Sequence, residues 1–255
     1  MDYLEERNLY RFTVMGTETD IEDRLHYHAL CSMLQEAACL DADRQGCGSN
    51  TLDQMNACWL ILRMKVCMTR IPKWRDEIYV RTVSHGYQRV FFNRDFDIYD
   101  SNFEPIGWAT SVWVITEQGS HRPIRPASIP GMEAFACQEP SSRNVEKLIP
   151  VDACQRDEGN PITRYADYSD IDRNMHVNNT RYIAWSEDSF YLQNPTTDAI
   201  KSLVINYSSE VKTGEEVKVF RSTINGSVQV DGFEVSTLRP VFSARFDSDV
   251  IDGVK

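Results

Sequence analysis

Apolar residues recur at helical spacing early in the chain. Leu30, Met33, Leu34, Ala37 and Ala38 fall at i, i+3, i+4, i+7 and i+8 within residues 26–45, the stripe of an amphipathic helix. Gly46 and Gly48 follow as its stop. The period then becomes two. In WLILRMKVCM, 59–68, Leu60, Leu62, Met64, Val66 and Met68 alternate with Ile61, Arg63, Lys65 and Cys67, which predicts a strand with one buried face. EIYVRTVSH (77–85), RVFFNRDFDIYD (89–100) and IGWATSVWVIT (106–116) are rich in β-branched and aromatic residues and read as further strands. Their short connections favour antiparallel pairing.

Residues 121–161 break this regularity. Six of the ten prolines lie there, at 123, 126, 130, 140, 150 and 161, so the stretch reads as a connector crossing the surface. Beyond it the pattern returns. A helix is expected over 177–193, with Asn178 or Asn179 as N-cap and Pro195 just past its end. Strands are expected in SLVINYSSEV (202–211), EEVKVFRSTI (215–224), SVQVDGFEVSTL (227–238) and VFSARFD (241–247). The fold class is therefore α+β. It has an N-terminal unit over 1–120, a connector over 121–161 and a C-terminal unit over 162–255.

The two units carry a weak internal repeat. TDIEDRLHYH (19–28) aligns without gaps onto SDIDRNMHVN (169–178), matching Asp20 to Asp170, Ile21 to Ile171 and His26 to His176. In that register Asn174 corresponds to Arg24 and Asn178 to His28. The first copy then lacks the polar set of the second, which suggests one working site and one scaffold copy.

Composition narrows the class. With 42% hydrophobic and 25% charged residues the chain is globular rather than disordered. MDYLEERNLY at the N-terminus is acidic and has no apolar core, and no apolar run approaches a membrane span, so a soluble cytoplasmic protein is expected. The seven cysteines are odd in number and form no CxxC pair, which points to free thiols in a reducing compartment. Cys31, Cys39 and Cys47 lack partners at ligand spacing, and His26-x-His28 with Glu22 lacks a clear third ligand, so no metal is expected. A net charge of -11 argues against nucleic acid and anionic membrane as partners. No GxGxxG or other nucleotide motif is present, and no cofactor is implied.

SDIDRNMHVNN, 169–179, concentrates the candidate chemistry. Asp172, Asn174 and His176 alternate and would face one side of an extended segment at the mouth of a helix. The helix start offers unpaired N–H groups for an oxyanion, a His can shuttle a proton and a carboxylate can orient it. The set suits transfer of an acyl group to water. Asp-x-Asn before a helix is equally ordinary turn and capping chemistry.

DIDRNMHVNNTRYIAW resembles the D-x-D-x-N-x-H-V-N-N-x-x-Y signature of the acyl-acyl-carrier-protein (acyl-ACP) thioesterases. WLILRMKVCMTRIPKWRDEIYVRT (59–82), RDFDIYDSN (94–102), ATSVWVIT (109–116) and HRPIRP (121–126) follow in that family's order. The resemblance implies two tandem hot-dog units and hydrolysis of fatty acyl-ACP to free fatty acid. It implies Asp172, Asn174 and His176 as catalytic residues, joined by Glu210 in the YSSE segment of the first strand after the helix. Plant members often carry Cys after that Glu; here it is Val211, so a cysteine nucleophile there is not required. Which of Asp172 and Glu210 activates the attacking group stays open. Asn178 and Asn179 are candidate substrate contacts, and Leu30, Met33, Leu34 and Ala37 a candidate wall for the acyl chain. ACP is the implied partner. Because ACP is acidic, a local basic patch must receive it, with Arg122, Arg125, Lys147 and Arg156 as candidates and Arg143 and Arg164 nearby. Monomer and homodimer are both compatible. The competing readings are an acyl-CoA thioesterase on the same scaffold and a non-catalytic acyl-binding module. A dehydratase would carry an H-F-P type motif, which the chain lacks.

Overall fold

The computed structural model describes residues 8–129, 131–136, 139–157, 161–192 and 200–248. Pro130, Cys137 and Pro195, and most of the acidic N-terminal segment, lie outside the described residues. The chain divides into two compact units, Met1–Val145 and Glu146–Lys255. Residues 121–145 therefore belong to the first unit and 146–161 to the second.

In the first unit, β1 (Leu9–Thr13), β2 (Ala57–Met68), β3 (Glu77–Gln88), β4 (Phe91–Tyr99) and β5 (Pro105–Glu117) accompany helix α1 (Tyr27–Arg44) and the short α2 (Ser49–Asp53). The sheet order is β1-β3-β4-β5-β2, antiparallel throughout. Helix α1 lies against β3. In the second unit, β6 (Ile162–Tyr165), β7 (Ser202–Tyr207), β8 (Glu216–Ile224), β9 (Ser227–Glu234) and β10 (Pro240–Asp247) form an antiparallel sheet ordered β6-β8-β9-β10-β7. Helix α3 (Asn179–Tyr191) packs on β8, β9 and β10. The two orders are the same, strand for strand. The protein is α+β, with two hot-dog units in tandem. Among the described residues no helix is long and apolar enough to cross a membrane.

Both long helices fall within the ranges expected from the sequence, and both turn their apolar stripe inward. The surprise on α1 is Asp41, which is fully buried and accepts Arg94 Nη1 from β4 at 2.7 Å. Thr82 takes a second bond from the same guanidinium nitrogen at 3.0 Å. A buried charge is tolerable only when so paired, and that pairing could not be read from the chain.

Three expectations need correction. β2 does not keep one buried face along its length. Its register against β5 shifts between Ile61 and Arg63, so Ile61 is buried while Leu60 and Leu62 are only half-buried, and every residue from Met64 to Met68 is buried. A bulge inserts one residue and reverses the alternation beyond it. β7 stops at Tyr207 rather than continuing to 211. Strands β1 and β6, of five and four residues, are too short for a period-two signal.

The third correction concerns the repeat, which is real but displaced by two positions from the gap-free alignment. Asp20 corresponds to Asp172, not to Asp170. The N–H of Asp20 donates to the Arg24 carbonyl at 2.8 Å, as that of Asp172 does to His176 at 2.9 Å. Asp20 Oδ1 accepts the Glu22 N–H and Asp172 Oδ1 the Asn174 N–H, both at 2.8 Å. Asp23 and Met175 share a left-handed conformation at φ 62° and 65°. Bridges Thr19–Leu25 and Ile171–Val177 close the two turns, and His26 and Asn178 are the two N-caps. Arg24 is therefore the counterpart of His176, Glu22 of Asn174 and His26 of Asn178. Turn geometry is set by backbone bonds, which tolerate sequence drift, and three chance identities favoured the wrong register.

The proline-rich stretch has little regular structure, and side chains hold it down. In the first unit Ser141 Oγ donates to Asp95 at 2.6 Å, and Arg143 donates to the Phe96 carbonyl at 2.9 Å and to Asp97 at 2.5 Å. In the second, Asn206 accepts the Leu148 N–H at 3.0 Å, Asp231 the Val151 N–H at 3.0 Å, and Gln229 donates to the Ile149 carbonyl at 2.8 Å.

Candidate active site

The turn that opens α3 is built by Asp172. Its N–H and side-chain oxygen close the loop 172–176, and the Met175 N–H returns to the Asp172 carbonyl at 3.0 Å. The segment is thus a tight turn and not an extended strand. The alternation that would face Asp172, Asn174 and His176 together does not apply. Asn174 is exposed at the tip, while Asp172 and His176 are half-buried.

His176 reaches a residue far away in sequence. Its Nε2 lies 3.3 Å from Glu210 Oε2. Glu210 sits in the loop after β7, not in the strand itself. That loop is fastened from several sides. The Val177 N–H donates to the Val211 carbonyl at 2.9 Å, which brings the residue after His176 against the residue after Glu210. The Val211 N–H donates to Tyr182 Oη at 3.2 Å. Arg239 Nη1 donates to the Glu210 carbonyl at 2.6 Å. Burial pushes the Tyr182 hydroxyl well above its ordinary range; the Val211 N–H opposes this and the Glu210 carboxylate adds to it.

Helix α3 begins as its sequence requires. Asn178 Oδ1 accepts the Thr180 N–H at 3.0 Å and the Thr180 hydroxyl at 2.8 Å, and its carbonyl accepts the Arg181 N–H at 2.9 Å. The Asn178 side-chain oxygen is spent on capping. Asn179 offers its carbonyl to Tyr207 Oη at 3.3 Å. Asp170, buried, accepts Arg181 Nε at 2.6 Å and ties the helix start to the turn before it.

The first unit repeats the scaffold without the pair. Arg70 N–H and Ser209 N–H donate to Ile106 and Val241 at the same place in the two sheets. Counting on from there, Ile71 stands where Glu210 stands, and Pro72, which accepts the Leu25 N–H, stands where Val211 does. With Arg24 in place of His176, neither member of the pair survives. Arg24 is bound to Asp20 at 3.0 Å and Glu22 at 3.1 Å. Glu22 thus faces an arginine, and His26 stacks on His28 with ring centroids 4.9 Å apart.

The remaining candidates divide. Leu30, Met33, Leu34 and Ala37 are all buried on α1. Arg122, Arg125 and Lys147 are exposed. Arg156 is half-buried, and its guanidinium carbon lies 4.1 Å and 4.7 Å from the ring centroids of Phe220 and Phe233. Arg143 is bound to Asp97 and Arg164 to Asp188, at 2.5 and 2.6 Å. Tyr182 and Arg239 were not singled out from sequence. The terminal Tyr of the motif hinted at the first, and nothing local hinted at the second.

Two family models match the chain: the acyl-ACP thioesterase N-terminal domain over residues 7–128 and the C-terminal domain over 156–237. The chloroplastic oleoyl-acyl carrier protein thioesterase 2 of Arabidopsis thaliana is 25% identical over 224 residues, 81% of this chain and 60% of that protein. An acyl-ACP thioesterase from Bacteroides thetaiotaomicron superposes with a TM-score of 0.82 at 26% identity, over 94% of this chain and 96% of that one. The 12:0-ACP thioesterase of Umbellularia californica shares the fold, with a TM-score of 0.80 at 20% identity over 94% and 96% of the two chains. With both domain models matched in order along most of its length, the chain belongs to the acyl-ACP thioesterase family.

Proposed function

We propose that the protein hydrolyses fatty acyl-ACP thioesters at a single site in the second unit. The observation that carries this reading is His176 Nε2 at 3.3 Å from Glu210 Oε2 beside the start of α3, on a scaffold whose first copy has Arg24 and Ile71 instead. Glu210 takes a proton from water as the water oxygen bonds to the thioester carbon. The carbonyl electrons move onto oxygen, and helix-start N–H groups hold that oxyanion; the Thr180 and Arg181 N–H groups are already bonded to Asn178, which leaves Asn179 as the helix-start donor. Collapse re-forms the carbonyl and breaks the C–S bond. The proton passes through the His176–Glu210 pair to the leaving thiolate, giving free acid and thiol. Asp172 shapes the turn that presents His176, and Asn174 at its tip meets the incoming thioester.

ACP as carrier goes with the exposed Arg122, Arg125 and Lys147, which suit an acidic partner. The acyl chain requires an apolar site, and the α1 stripe around Leu30 and Leu34 is the candidate.

The test is release of free fatty acid from ACP thioesters of graded chain length, with the matching CoA esters in parallel. Release from ACP esters that His176→Ala and Glu210→Gln each slow at least about 100-fold is the expected result. Preferential turnover of CoA esters would replace the carrier assignment, and no release from either series would overturn the reading.

A further inference from the structure

Glu210 stands in a loop, so something must fix it. Strand residues are held by their ladder, but β7 ends at Tyr207 and β8 begins only at Glu216. Across that gap one guanidinium reaches three separate points. Arg239 Nη1 donates to the Ser209 hydroxyl at 2.8 Å and to the Glu210 carbonyl at 2.6 Å, and Nη2 donates to Glu215 Oε2 at 2.8 Å. Glu215 Oε2 also accepts the Lys212 N–H at 3.0 Å. A planar fork of this kind fixes orientation as well as distance.

The first unit supplies an internal comparison. Ile106 and Val241 accept the paired N–H groups of Thr69–Arg70 and Ser208–Ser209. Pro105 and Pro240 precede them, so Glu104 occupies the place of Arg239. Where the reactive pair is missing, the arginine is missing too. The loop there is fixed differently, by Arg70 donating to Asp100 at 2.9 Å.

We propose that Arg239 is a positioning residue that holds the Glu210 carboxylate beside His176. It does not meet the substrate; it acts through the loop 209–215. Its kinetic consequence rests on the thioesterase reading above, while its structural consequence does not. Displacing a reacting group by about 1 Å costs on the order of 100-fold, and loss of Arg239 acts in that range.

The experiment has two arms. In the first, Arg239→Met lowers kcat about 10–100-fold and changes KM less than about threefold; Arg239→Lys recovers part of the loss. In a Glu210→Gln background Arg239→Met costs nothing further, because its target is gone. An equal loss in both backgrounds would mean a merely structural arginine and overturn the proposal. In the second arm the His176 ring Cε1–H resonance, assigned with His176→Gln, is followed by NMR at one pH. Glu210→Gln moves it, and Arg239→Met moves it in the same direction. A signal unmoved by Arg239→Met, or by Glu210→Gln, overturns the proposal. Arg239→Gln is read the same way if the Met variant does not fold. Wild-type protein inactive on every thioester would sink the thioesterase reading, and the resonance arm would still decide the role of Arg239.

Discussion

Arg24 and His176 occupy the same position in two copies of one turn. Each offers its carbonyl to the N–H of an aspartate four residues earlier, Asp20 or Asp172. Arg24 folds back onto Asp20 and Glu22, whereas His176 reaches Glu210 across the second unit. The backbone is shared, and the side chains decide which copy can do chemistry.

His176→Ala and Glu210→Gln are each expected to lower kcat at least about 100-fold, the usual range for losing a positioned acid or base. Steady-state kinetics on an acyl-ACP ester checks this. Both side chains are only half-buried, so thermal midpoints within a few degrees of wild type should accompany the loss.

Asp20 tests the turn without the chemistry. Its Oδ1 accepts the Glu22 and Arg24 N–H groups at 2.8 and 2.9 Å, and Asp20→Ala should cost about 1–2 kcal/mol in urea unfolding. Burial raises this carboxyl, but the Arg24 and Glu22 N–H groups and the Arg24 guanidinium outweigh it and hold the group below its ordinary value. That stabilisation is present above the unfolded value near about pH 4 and is lost as pH falls through the lower folded value. Wild type should therefore lose stability on acidification more steeply than Asp20→Ala. Parallel slopes would refute the assignment.

Tyr182 gives the opposite dependence. Burial first, then the Glu210 carboxylate, raises its hydroxyl, and the Val211 N–H lowers it only in part. Its contribution is complete below the unfolded value near about pH 10 and declines as pH climbs from there toward the folded value. Tyr182→Phe should flatten the alkaline decline. It also removes the acceptor of the Val211 N–H, so kcat should fall through displacement of the Glu210 loop.

Gly232 keeps a space that Phe242 uses. A Cβ there would overlap the Phe242 ring, which packs on Tyr182 with centroids 5.4 Å apart. Gly232→Ala should cost about 1–3 kcal/mol, as overpacking does. A variant as stable as wild type in denaturant would show that the ring can yield.

Arg125→Glu and Lys147→Glu should raise KM for acyl-ACP and leave CoA esters unaffected, with the difference shrinking at high salt. Arg156→Ala should act otherwise. It removes a guanidinium stacked on Phe220 and Phe233 and should lower stability by about 1 kcal/mol, with KM for ACP unchanged.

Much of the fold was legible. The period of 3.6 over 27–44 arises from the side chains' own alternation between core and solvent, and β3 to β5 show in their β-branched and aromatic content. Asn178 as cap follows from local hydrogen bonding. The bulge at Ile61–Arg63 was not legible, because it is a property of β2 against β5 and leaves the composition of either strand unchanged.

The sequence alone determined the two long helices, the cores of the longer strands, and that the residues around His176 open a helix. Those properties depend on neighbours within a few positions. Tertiary structure decided the register of the repeat, the turn that turns Asn174 outward, the burial of Asp41 on Arg94, and the meeting of His176 with Glu210 under the grip of Arg239. Each of these joins groups 29 or more residues apart, as Glu210 and Arg239 are, or rests on backbone bonds that many side chains permit. Such contacts exist only once the sheet has paired and the loops between its strands have been drawn together.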